Sequence, residues 1–150
     1  MSATNWLAIA GLIIITALAL YAYVLWRKVW DARQAKAEQE RGRNERLAQD
    51  IQFLAQSLLN GQLPLVEGSI RIKVLLDNYS GPRRTDLDVG VFEVIYDATA
   101  HIPTHQQWKD LPRTERQQHE QQMQALEQEH KEEVERAAGQ LSTGVAPSQS

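Results

Sequence analysis

The stretch WLAIAGLIIITALALYAYVLW, residues Trp6 to Trp26, decides how the rest of the chain is read. It holds 21 residues without a charge, and as a helix it would rise about 31 Å against a hydrocarbon core of about 30 Å. One membrane span fits. A core helix of a globular domain keeps a polar face, and this run has none. Thr16 is its one strongly polar interruption, and a hydroxyl there can bond back to the helix. A cleaved signal peptide normally has a basic start and a shorter apolar run, whereas residues 1–5 contain no Lys or Arg and the run continues past Ala17 and Ala19. The expectation is an uncleaved transmembrane helix over residues 6–26.

The flanks orient that span. Arg27, Lys28, Arg33 and Lys36 crowd the downstream exit with Asp31 as the nearby acid. The positive-inside rule then places the C-terminal part in the cytoplasm and leaves residues 1–5 as a short extracytoplasmic terminus. Trp6, Tyr23, Trp26, Arg27, Lys28 and Trp30 are expected as membrane-interface anchors, since amphipathic rings and long basic side chains sit well at headgroup level. The lipid bilayer is thus the first expected partner. Gly11 has no second glycine four residues away, so a GxxxG dimerisation face is missing.

Beyond the membrane, residues 27–46 carry seven basic and four acidic side chains and few apolar ones, the composition of a hydrophilic helical stalk. From residue 47 to 139 the pattern becomes that of a small helical bundle. Leu47, Ile51, Leu54 and Leu58 form one helical stripe, and Asn60-Gly61 supplies a left-handed stop. Pro64 opens the next helix, on which Leu65, Ile72, Leu75, Leu76 and Tyr79 share a face. Gly68 and Ser69 lie in the same arc, small enough to let a neighbouring helix approach, so this helix is expected at the centre.

Gly81-Pro82 signals a turn, with Thr85 or Asp86 as the next N-cap. Residues 87–100 are locally ambiguous: Val89, Val91, Val94 and Ile95 suit a strand, while Phe92, Ile95, Tyr96, Thr99 and Ile102 share a helical arc. No second convincing strand exists to pair with, so the helix is favoured. A long charged helix then runs from Pro112 to about Gly139 with a thin apolar stripe of Met123, Leu126, His130, Val134 and Ala137. Residues 140–150, rich in Ser, Thr, Gly and Pro, read as a disordered tail. The fold class is all-α: one transmembrane helix, a stalk, and a cytoplasmic bundle ending in a long helix.

Catalytic chemistry finds little purchase. About 120 residues remain outside the span, too few and too polar for two cores. Cys is absent, which removes disulfides, thiolate metal sites and cysteine nucleophiles. A net charge of -3 gives no general pull towards nucleic acid. There is no G-x-S-x-G, no P-loop and no G-x-G-x-x-G. His101 and His105 are four apart with Pro103 between them, and Glu127-x-x-His130 lacks the second copy that a di-iron bundle needs. Arg83-Arg84 reads as a solvated loop pair before a grip on an anion. No catalytic residue, metal ligand or cofactor is expected.

The block Glu67-Gly68-Ser69-Ile70-Arg71-Ile72, followed by Leu75-Leu76-Asp77, stands between the N-terminal span and the later helices around Phe92 to Tyr96 and at the charged C-terminus. In that order these features resemble a family of small, uncharacterised proteobacterial membrane-anchored proteins, a domain of unknown function, over about residues 6–138. The resemblance implies a bacterial source, hence the inner membrane, and a shared helical cytoplasmic domain. It carries over no catalytic residues.

Two features point to protein binding. Phe53 lies on the Gln49, Gln52, Gln56 side of its helix, away from the leucine stripe, where it is either covered by another helix or an exposed anchor. The stripe on the long helix pairs with a helix of the same chain or of a second copy as a coiled coil. Phe53, Met123, Leu126 and Val134 are therefore the candidate partner-binding residues. The leading expectation is a protein-interaction domain, an adaptor or accessory subunit of a membrane complex that binds a protein partner or itself. The alternative is a tethered ligand sensor or small enzyme with a pocket between the helices, using His101, His105 or the Arg71 side.

Overall fold

A computed structural model describes residues 2–148. Met1, part of the expected outer terminus, and residues 149–150, part of the expected tail, lie outside the described residues. Among the described residues five helices follow one another: α1 (Ala3–Leu59), α2 (Leu65–Asn78), α3 (Gly90–Thr99), α4 (Gln106–Asp110) and α5 (Arg113–Ser142). Among the described residues there is no strand. The chain divides into two compact units, Met1–Gly42 and Arg43–Ser150.

The first unit is helical throughout its described part after Ser2. It contains the one segment among the described residues that is long and apolar enough to cross a membrane, with none of its residues buried. Large side chains that water would not tolerate in such number, Leu12, Ile13, Ile14, Ile15 and Leu18 among them, are all exposed. Thr16 Oγ1 donates to the Leu12 carbonyl at 2.8 Å, which satisfies the polar interruption inside the helix.

The second unit owns the core. Ile51, Ala55 and Leu58 of α1 meet Leu65, Ile72 and Leu76 of α2, Phe92 and Ile95 of α3, and Val134, Ala138 and Leu141 of α5. Helix α2 begins at Leu65 because Pro64 pre-sets its backbone at φ -56° and has no N–H to lose. A Cβ on Gly68 would come within 2.8 Å of Leu58 Cδ1 and 3.0 Å of Leu63 Cδ2, so any larger residue there must push those two leucine side chains aside. Gly61, at φ 73°, makes the left-handed turn between them. The C-terminus of α2 is tied down by arginines. Arg83 donates to the carbonyls of Leu76 and Tyr79, and Arg43 to that of Asn78 at 3.2 Å.

Four expectations need correction. The globular unit begins at Arg43, not 47, because Arg43 and Asn44 already bond to Asn78 and Ser80. The third helix starts at Gly90, with Val89 as N-cap and neither Thr85 nor Asp86. Asp86 is diverted: its carboxylate takes Arg84 Nε at 3.0 Å and Nη2 at 2.5 Å. The Gln140 amide meanwhile pairs with the backbone of residues 86 and 88.

The disordered tail from residue 140 is the third correction. Helix α5 runs to Ser142, Leu141 and Val145 are buried, and Arg84 Nη1 grips the carbonyls of Gln140 and Gly144 and the Thr143 hydroxyl. Two apolar side chains among Ser, Thr, Gly and Pro suffice to dock the segment once Arg84 satisfies its backbone. Arg83-Arg84, the fourth, is thereby no solvated loop pair: both guanidinium groups serve the fold.

Candidate functional site

Helix α2 lies between two concavities of the second unit, and Ile70 and Arg71 line both. The first, about 400 Å³, is closed on the other side by Asp50, Phe53 and Leu54, one face of α1 at i, i+3, i+4. Phe53 is 67% exposed and Val74 44%. The second, about 610 Å³, is closed by Glu120, Met123, Gln124 and Glu127, one face of α5, with Val66 and Glu67 opposite. Arg71 Nη2 sits 2.5 Å from Glu67 Oε1, an ion pair at the i, i+4 spacing of a helix.

Of the candidate partner-binding residues, Phe53 is the exposed anchor of the two alternatives and stands beside the first concavity. Met123 is half-buried, packed on the core and lining the second. Leu126 is half-buried. Val134 is wholly buried in this chain's own core, so it offers nothing to a partner, and that expectation is corrected. The apolar stripe of α5 is spent inside the same chain from Val134 to Leu141. The membrane-interface candidates Trp6, Tyr23, Trp26, Arg27, Lys28 and Trp30 are all exposed. Tyr23, Trp26, Arg27 and Trp30 share one face of α1 at i, i+3, i+4, i+7.

The histidines gather loosely around α5. His101 Nε2 meets Gln122 Oε1 at 3.1 Å, and the His119 ring lies 5.9 Å from that of His101 and 6.1 Å from that of Trp108. Among the described residues no three His, Cys, Asp or Glu side chains come together to hold a metal ion. His105, at φ 54°, precedes α4 and faces the second concavity. On α2 the Asp77 carboxylate holds Lys73 Nζ at 2.6 Å and raises the ammonium above its usual range, while Lys73 lies 5.7 Å over the Tyr96 ring.

Arg71 and His105, two of the three groups named for a pocket between the helices, line the second concavity and His101 does not; sequence reasoning missed the α5 wall. The signal was present in Glu120, Met123 and Glu127, which share a helical face, but the face is visible only once α2 is known to lie across it. Residues 15–141 match the family described as protein of unknown function (DUF2489). The chain belongs to that family. The DUF2489 match begins within the apolar segment and ends at Leu141, so it takes in both concavities. No curated protein and no solved structure matches the chain.

Proposed function

We propose that this DUF2489 protein is anchored by residues 6–26 in a bacterial inner membrane, and that its cytoplasmic helical unit binds another protein, as adaptor or accessory subunit of a membrane complex. The charge step at Arg27, Lys28, Arg33 and Lys36, with no basic residue before Trp6, supports an outer N-terminus. One observation carries the binding reading: Phe53, Val74 and Ile70, with Leu54 and Leu75, line an apolar concavity at the surface of the folded unit. Contiguous apolar surface of this kind is costly in water and marks interaction sites. Self-association through α5 loses its ground, because Val134, Ala137, Ala138 and Leu141 are already buried within one chain.

Topology is tested by single cysteines, which the chain lacks. With the outer membrane permeabilised, an impermeant maleimide should label Ser2→Cys in intact cells and Ser148→Cys only after lysis. The reverse pattern overturns the orientation. For binding, a photo-crosslinking residue at position 53 should give one adduct of defined mass in native membranes, and the same residue at Gln128, on the exposed side of α5, should give none. Equal adducts at both positions, or none at 53, remove the binding face.

A further inference from the structure

We propose that the groove between α2 and α5 receives a cationic amphipathic helix of the partner protein; this rests on the protein-binding reading and gives the partner its chemistry. The floor is apolar, built from Val66, Ile70 and Met123. The walls hold three carboxylates, Glu67, Glu120 and Glu127, against the guanidinium of Arg71 and the imidazole of His105. Arg71 is already committed to Glu67 at 2.5 Å. Among the described residues neither Glu120 nor Glu127 has a basic partner.

Those two acids stand seven residues apart on one face of α5, about 10 Å along its axis, and Met123 lies between them. A second helix lying in the groove at the usual spacing of about 8–10 Å meets both if it carries basic residues at i and i+7 around an apolar pair at i+3 and i+4. Anionic headgroups, nucleic acid and acidic helices face repulsion from the same two groups. A purely apolar helix would cover two carboxylates and leave them unpaired, at a desolvation cost that a lysine or arginine offsets. The groove therefore selects by charge as well as by apolar fit.

The test uses the full chain in neutral maltoside micelles, titrated with a fluorescent synthetic helix of about six turns with Lys at i and i+7 and Leu at i+3 and i+4. Binding is read by anisotropy. The expected result is saturable binding that weakens about five-fold in the double variant Glu120→Gln, Glu127→Gln and falls further with added salt. Glu132→Gln with Glu135→Gln, an equal charge change elsewhere on α5, should leave binding unchanged. A peptide with Glu in place of Lys should not bind. Equal weakening by both double variants, equal binding of the Glu peptide, no binding of the Lys peptide, or a dimer of the full chain that occupies the groove would each overturn the proposal. Adducts at position 53 together with such a result remove the cationic helix and leave the protein-binding reading standing; failure of both removes that reading too.

Discussion

Helices α1 and α5 are both long, yet they treat apolar residues in opposite ways. Between Trp6 and Trp26, α1 carries apolar side chains on every face and buries none. Helix α5 is mostly Gln, Glu, Arg and Lys, yet nearly all of its few apolar residues from Val134 onward are inside the core. A uniform apolar surface calls for an apolar solvent, whereas a thin stripe on a polar helix calls for neighbouring helices. The same contrast is repeated in miniature by the two phenylalanines: Phe92 is 0% exposed and Phe53 67%.

The largest effect should come from moving charge between those environments. Ile14→Arg with Leu18→Arg puts two cations at the centre of the span, each costing about 3 kcal/mol to insert, so the protein should become extractable by alkaline carbonate. Gln121→Arg with Gln128→Arg on the exposed side of α5 should leave both extraction and melting unchanged. Retention of the first variant in the membrane fraction would break the comparison. Next in size, Phe92→Ala should lower the stability of the full chain in detergent by about 3–5 kcal/mol, and Phe53→Ala should stay within about 0.5 kcal/mol. Similar losses at both positions would mean that Phe53 is covered.

What the sequence disclosed follows the same division. The long apolar helix, the Asn60-Gly61 stop, the Pro64 start and the helix through Phe92 were legible because each rests on local periodicity or on a residue with restricted backbone geometry. Residues 87–100 needed one further step, the absence of a partner strand. The tail was misread since Leu141 and Val145 are too few to make a pattern, and the Arg84 guanidinium that bonds the carbonyls beside them lies 57 residues before Leu141 in the chain. Phe53 was recognisable as out of register with its own stripe. The acidic groove was not, because its two walls come from helices whose closeness no local pattern encodes.

Arg84 sharpens the comparison at the end of α5. Arg84→Ala should free the segment after Gln140, leaving the carbonyls of Gln140 and Gly144 without that donor, and limited proteolysis should then cut near Thr143 while the span stays intact. Its melting loss should be smaller than that of Phe92→Ala.

Smaller still is the acid response. The hydrogen bond from Arg84 holds the Asp86 carboxylate below its ordinary pKa of 3.8. Folding therefore favours the ionised form, and the stabilisation is fully present above the ordinary carboxylate pKa and is lost as pH falls through the lowered one. Melting temperature followed from pH 5 downward (about the range in which an Asp titrates) should fall less steeply for Asp86→Asn than for the wild type, the two curves converging at the acid end. Arg84→Ala should flatten the same part of the profile, since the shift comes chiefly from that guanidinium. Parallel curves for all three proteins would mean that the pair is open in solution, and that the end of α5 is held by Leu141 and Val145 together with bonds that do not involve the Asp86 carboxylate, such as Arg84 N–H to the Val145 carbonyl at 2.9 Å and Gln52 to the Ser142 carbonyl at 2.9 Å.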